Sequence, residues 1–172
     1  MHTIIETERL RLRPFVEADA AAYMPLVTDP DVVRYAGGPG PDTLEGVREI
    51  LRSAPLADYA RYGYGRFACE WKASGELVGF SGLKYLPEFN ETELGYRFLT
   101  RYWGQGLATE AGLASLQFAK NTLGLARVIS VIHPDNHASK RVVQKLGFRL
   151  ETHREYPPLP GVQVEIWAGD LR

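Results

Sequence analysis

With 172 residues, 45 % of them apolar and 24 % charged, the chain has the material to bury one sizeable core and is expected to form a single domain over residues 1–172. A formal net charge of −1 gives no electrostatic reason to expect nucleic acid as a partner. No apolar run approaches the roughly 18 residues of a membrane helix, which argues against a membrane partner. A lone cysteine, Cys69, excludes an internal disulfide framework; together with an N-terminus that lacks a signal peptide's apolar core, it points to a reducing, cytoplasmic setting.

Residues 8–15, ERLRLRPF, alternate Arg9, Arg11 and Arg13 with Leu10 and Leu12. That period of two predicts a half-buried strand near a sheet edge, with the arginines on its wet face. Residues 17–27 predict a short helix with acids in its first turn, and Asp29-Pro30 reads as a cap followed by proline at the first helical position. The run from Gly37 to Pro41 is a loop. Residues 42–59 then resume helix, with Asp42 as N-cap and Leu44, Val47, Ile50 and Leu51 on one apolar face.

From Tyr64 the period changes. Residues 64–72, 77–86 and 92–99 read as three strands joined by short turns, an antiparallel meander. The turn Arg101-Tyr102-Trp103-Gly104-Gln105-Gly106 leads into a helix over about 104–120, whose apolar positions are Leu107, Ala111, Ala114, Leu116 and Phe118. Residues 127–133 form a continuous apolar strand, parallel to 92–99 through the intervening helix. A further helix over 137–146 follows Asn136 and closes on Gly147 as a left-handed cap, and residues 148–156 and 163–168 return as a closing hairpin. The sum is a mixed α/β fold, a mostly antiparallel twisted sheet of about six to seven strands flanked by about four helices.

The stretch that carries chemistry is the junction of strand 92–99 with the following helix. A helix start leaves backbone N–H groups without partners at the positive end of the macrodipole, and Gly104 and Gly106 let an anion approach them. Phosphate or pyrophosphate is the ligand this favours. A Walker A loop is excluded because Leu107 follows Gly106, and the dinucleotide fingerprint because its third glycine position holds Thr109. Glu110 reads as a structural partner, and Trp103 and Trp167 as packing residues. His133 and His137 are four apart, but Pro134 interrupts any helix between them, so no metal is expected. Asn136 and Ser139 open the second informative stretch, NHASKRVVQKLGF, with Ser139 on the face that looks back toward strand 92–99. Taken alone, both also read as ordinary helix-start residues.

Arg-x-x-Gly-x-Gly followed by Leu-Ala-Thr-Glu-Ala, together with Asn-x-x-Ser and a helix ending Lys-Leu-Gly-Phe, resembles the GNAT family of N-acetyltransferases. The spellings YWGQGLATEA and TERLRLRPF most resemble its ribosomal-protein N-terminal acetyltransferase-like branch. The resemblance implies an acetyl-CoA (coenzyme A) cosubstrate whose pyrophosphate lies on the amides of Gly104, Gln105, Gly106, Leu107, Ala108 and Thr109, with Arg101 at the family's Gln/Arg position. It further implies that the pantetheine arm pairs with backbone near Phe98 and Leu99, where the parallel strands splay, and that Asn136 holds its amides. Ser139 would lie near the sulfur and protonate the leaving thiolate, with Tyr156 as the alternative. Glu93 is the first candidate for general base, through a water; the competing reading is a strand glutamate that binds a cationic substrate or faces solvent. The acceptor is a primary amine, either a protein N-terminus or a small molecule, and a homodimer fits the family. The alternative to an enzyme is an acyl-CoA-binding sensor without turnover.

Overall fold

The computed structural model describes residues 3–172. Its frame is one eight-stranded sheet in the order β1-β2-β3-β4-β5-β6-β8-β7. The first strands are β1 (Ile5–Glu6) and β2 (Leu10–Pro14). Leu10 and Leu12 are fully buried while the intervening arginines face outward, as the alternation predicts. The edge strand itself is β1, which two residues are too few to announce in sequence. The arginines are not simply solvated: Arg11 pairs with Glu6, Arg13 with Asp19 and Glu70, and Arg9 with Glu110.

One face of the sheet is covered by short helices. A single 3-10 turn over Glu17–Asp19 runs into α1 (Ala20–Tyr23), then α2 (Pro25–Thr28) and α3 (Pro30–Val33). Pro25 supplies no N–H, so the single helix predicted over 17–27 is divided at that point. Asp29 caps α3 as expected, its side chain accepting from the Asp31 amide. The helix predicted over 42–59 is three segments. α4 (Leu44–Leu51) leads into a widened π turn over Arg52–Leu56 that accommodates Pro55, and then into α5 (Ala57–Tyr62). Its N-cap is Thr43 and not Asp42: the Thr43 hydroxyl accepts from the Gly46 amide. Val47 and Leu51 are buried, whereas Leu44 is 44 % exposed and lies off the apolar face. Among the described residues seven α-helices, several of one turn, thus stand where about four were predicted.

β3 (Arg66–Trp71), β4 (Glu76–Leu86) and β5 (Glu91–Phe98) form the antiparallel meander. On the other face lies α6 (Leu107–Asn121), which turns Leu107, Ala111, Ala114, Leu116 and Phe118 into the main core with Phe67, Leu94 and Phe98. Small residues bring this helix close, and the buried hydroxyls of Ser115 and Ser81 satisfy each other at 3.2 Å. β6 (Arg127–Ile132) runs parallel to β5, and α7 (His137–Lys145) ends at Gly147 with φ of 86°. β7 (Arg149–Glu155) and β8 (Gln163–Asp170) are the predicted hairpin, but β8 enters the sheet beside β6 and leaves β7 as the outer strand, giving eight strands in place of six to seven. No helix among the described residues is long and apolar enough to cross a membrane.

Phe67 is fully buried and meets Phe118 edge-on at 5.4 Å between ring centroids, which joins β3 to α6. Phe67→Ala should therefore lower the unfolding free energy by about 3–5 kcal/mol in urea melts, against less than about 0.5 kcal/mol for Leu44→Ala. Comparable losses would return Leu44 to the core.

Candidate functional site

The site begins where the sheet stops pairing. β5 and β6 share a single register pair, Glu93↔Ile129, and beyond it the strands diverge. The Leu99 amide donates to Val78 O at 3.0 Å, which sets the antiparallel alternation along β5. The backbone groups of Leu94, Tyr96 and Phe98 consequently face away from β4, into the gap. Ser130 Oγ donates to Leu94 O at 2.9 Å, and the Trp103 indole N–H donates to Phe98 O at 2.8 Å. Both Tyr96 backbone groups and the Phe98 N–H are left directed at the opening. Of the two residues expected to meet an extended ligand, Phe98 has this geometry. Leu99 does not: its amide belongs to the sheet and its side chain to the core under α1, α2 and α4.

At the mouth of the gap stands the glycine turn. A 3-10 turn over Thr100–Tyr102 precedes Gly104 and Gly106, whose φ values are 75° and 83°. A Cβ at Gly104 would touch nothing, and one at Gly106 would find only Arg9 Nη2 at 3.7 Å, so left-handed backbone rather than crowding calls for glycine here. Helix α6 starts at Leu107, later than predicted, and Gly106 provides no side-chain cap. Its closing bond is from the Glu110 amide to Gly106 O, which leaves the amides of Leu107, Ala108 and Thr109 without helical partners. Arg101 turns its guanidinium onto Glu76, so it stands beside the turn and not over it, while Gln105 Nε2 donates to Arg101 O at 3.2 Å.

The turn is braced from the connection between β1 and β2. Arg9 donates from Nη1 to Gln105 O at 2.9 Å and from Nε to Glu110 Oε2 at 2.8 Å, and its amide donates to Glu110 Oε1 at 2.8 Å. The Thr7 hydroxyl adds a bond to the same oxygen at 2.6 Å. Glu110 is thus the structural partner expected of it. Arg9, read in sequence as a wet-face charge, is the residue missed; only the fold brings it to a carboxylate 101 positions away.

α7 faces the gap from the side of α6. Asn136 caps it, Oδ1 accepting from the Ser139 amide at 3.1 Å. Ser139 Oγ lies 2.9 Å from Tyr96 Oη, which also donates to Ser139 O at 3.1 Å. Burial pushes the Tyr96 hydroxyl well above the ordinary phenol range. Tyr96 was not singled out in sequence, where the period of two places it on the helix face without naming a partner. Glu93 lies on the opposite face of β5, 7 % exposed, and accepts from Arg66 Nη2 at 3.0 Å. Tyr156 is on the Glu93 side, stacked on Phe89 at 5.6 Å, and burial, with the Glu93 charge adding to it, pushes its hydroxyl up to about 12. The gap therefore separates two groups: Asn136, Ser139 and Tyr96 on one face, Glu93, Arg66 and Tyr156 on the other.

Burial alone would raise the Glu110 pKa, but the bonds from Thr7 and Arg9 outweigh it and hold the carboxyl below its ordinary 4.5. A carboxylate whose folded pKa is depressed adds stability above the unfolded value and loses it as pH falls through the folded one. Glu110→Gln should lower Tm at neutral pH by roughly 2–5 °C, and its deficit against the parent should shrink below about pH 4.5. A deficit unchanged under acid would show that shape rather than charge holds the turn.

A family model described as an acetyltransferase (GNAT) domain matches residues 9–149. The chain is 30 % identical over 152 residues to the uncharacterized N-acetyltransferase YoaA of Bacillus subtilis (strain 168), covering 88 % of this chain and 85 % of that protein. It is 28 % identical over 170 residues to the FsC-acetyl coenzyme A-N(2)-transacetylase of Aspergillus fumigatus, covering 92 % and 72 %. The solved acetyltransferase from Agrobacterium tumefaciens str. C58 superposes with a TM-score of 0.84 at 28 % identity, over 98 % of this chain and 95 % of that one. A sheet that splays beside a bare-amide turn, within a family match spanning residues 9–149, makes the chain an acyltransferase of the GNAT acetyltransferase family.

Proposed function

We propose that this enzyme moves an acetyl group from acetyl-CoA to a primary amine, acting as one domain over residues 1–172 in a reducing cytoplasm. The observation that carries the reading is the unpaired side of β5, which opens directly onto the turn at Gly104 and Gly106. An acyl-CoA matches both halves. Its pyrophosphate suits the amides of residues 104–109, and its extended, amide-bearing arm suits the outward groups of Tyr96 and Phe98 as an added strand. The Asn136 side chain, with Oδ1 engaged in the cap, keeps its N–H donors for that arm. The Aspergillus relative carries acetyl coenzyme A in its name, which supports the same donor here.

On this reading the amine nitrogen bonds to the thioester carbonyl carbon, the C–S bond breaks, and the sulfur leaves with its electron pair. The proton lost by the amine passes to Glu93 through a water, and the sulfur takes a proton from Ser139 Oγ. Tyr96 Oη, 2.9 Å from that Oγ, is placed to resupply it. The Arg66–Glu93 ion pair favours a second reading of Glu93, in which the carboxylate positions Arg66 and the acceptor and takes no proton.

Acetyl-CoA should raise Tm saturably while ATP and NAD leave it unchanged, because a ligand confined to the native state stabilises it by mass action. Gly106→Val, which forces a β-branched residue to a φ of 83°, should remove the shift with the fold retained. An unchanged affinity would take the turn out of the site. Glu93→Gln should slow turnover roughly 100-fold near neutral pH and less at high pH, where free amine is plentiful. A loss independent of pH would assign Glu93 to positioning.

A further inference from the structure

The face of β5 turned away from α6 and α7 carries, besides Glu93, an arginine that the transfer chemistry does not use, Arg97. Gly82 and Gly95 are cross-strand partners at its centre. A side chain at Gly95 would meet the Arg66 guanidinium at 2.7 Å, and one at Gly82 would meet the Arg66 Cα at 2.8 Å. The glycine pair opens a trough through which Arg66 reaches from β3 across β4 to β5. There it bonds Glu93 and lies 4.9 Å from the centroid of the Phe80 ring. Arg97 lies over the same ring, at 5.5 Å. Two guanidinium groups share one aromatic side chain, and of the two only Arg66 has a carboxylate partner.

The charges do not balance. Among the described residues Arg97 forms no ion pair, and its one side-chain hydrogen bond runs from Nη1 to Leu26 O at 2.7 Å. That bond ties α2 to the sheet but uses a fraction of the donors a guanidinium offers. Arg66 Nε is buried with no partner at all. Burial, with a lesser push from Arg66, lowers the Arg97 pKa. A half-buried cation without a counter-ion is a standing cost that an anion seated beside it removes.

We infer that Arg97 and Arg66 bind a carboxylate carried by the amine acceptor, so that the substrates are amino-acid-like amines and not simple amines, polyamines or protein N-termini. The inference rests on the acetyl-transfer reading above. A carboxylate matches the planar fork of a guanidinium with two parallel hydrogen bonds. The placement also serves the reaction. Arg97 projects from the face opposite Tyr96, along the strand that borders the gap. An acceptor anchored there approaches the thioester from the side away from the pantetheine arm. Phe80, which lies under both guanidinium groups, is stacked on Tyr23 at 6.2 Å, so its ring is fixed by the core.

The test compares matched acceptors in thiol-release assays: a panel of free amino acids, the same amino acids as carboxamides, and the corresponding decarboxylated amines. The carboxylates should be preferred by at least about tenfold in kcat/KM, the worth of one charge-assisted hydrogen bond, with the difference in KM. Arg97→Gln should collapse that ratio toward unity while keeping the acetyl-CoA thermal shift, and Arg97→Lys should keep part of it. Carboxamides or plain amines used as well as the acids by the parent enzyme would overturn the inference, as would a preference that survives Arg97→Gln. If Arg97→Gln melts early through loss of the Leu26 tie, the parent's ratio and Arg97→Lys decide. Should no acceptor turn over, N-acetylated amino acids and their amides are titrated into the CoA-saturated protein, and equal affinities overturn the inference. A missing acetyl-CoA shift would instead bring down the proposed function and this inference with it.

Discussion

The molecule depends on one interruption: β5 and β6 pair at Glu93↔Ile129 and then part. Buried backbone amides and carbonyls need partners, so a strand left open in mid-sheet is costly unless something fills it. The protein closes part of the deficit itself, with Ser130 Oγ on Leu94 O and the Trp103 indole on Phe98 O. What it leaves is a short, defined set of groups centred on Tyr96. Rather than a general weakness of the sheet, this is an open edge with fixed ends, the one the proposed function fills with the donor's arm. Its lower limit is the Glu93 pair, and its upper limit is the turn onto α6.

Side-chain alternation on β5 then assigns the chemistry to two faces. Leu94, Tyr96 and Phe98 turn toward α6 and α7, where Tyr96 meets Ser139; Glu93, Gly95 and Arg97 turn toward Arg66 and Phe80. A donor and an acceptor that enter from opposite faces can meet only where the strands have separated. On the proposed reading, the period of two that makes β5 a strand also keeps the thiol side and the amine side of the reaction apart.

Local signals carried over well. The alternation of residues 10–14, the glycine turn, the Asn136 cap and the Gly147 stop are each written in a few adjacent residues, and each is found in place. The misses have two physical origins. Pro25 and Pro55 cut predicted helices whose apolar pattern ran through them, and Thr43 took the cap from its neighbour Asp42, because such choices among near-equal local states are made by packing. The others are long-range. Nothing adjacent to Arg9 announces Glu110, and nothing adjacent to Arg66 says that it will cross two glycines to reach Glu93. The insertion of β8 between β6 and β7 is likewise a property of the closed sheet and not of either strand.

The brace from the connection between β1 and β2 has a reason in electrostatics. At the start of α6 the amides of Leu107, Ala108 and Thr109 point partial positive charges in one direction, an arrangement that repels itself. Arg9 holds the turn at Gln105 O, while Glu110, gripped by the Arg9 guanidinium, the Arg9 amide and Thr7, fixes the first turn of α6. Because the Glu110 carboxylate neutralises Arg9, the brace holds the loop without presenting an unpaired arginine that an arbitrary anion could occupy. An ordered cradle also spares an incoming phosphate the entropy of organising it, so more of the intrinsic attraction appears as affinity. The bonds that hold the turn therefore come from outside the glycine motif, from Thr7 and Arg9 in the connection between β1 and β2.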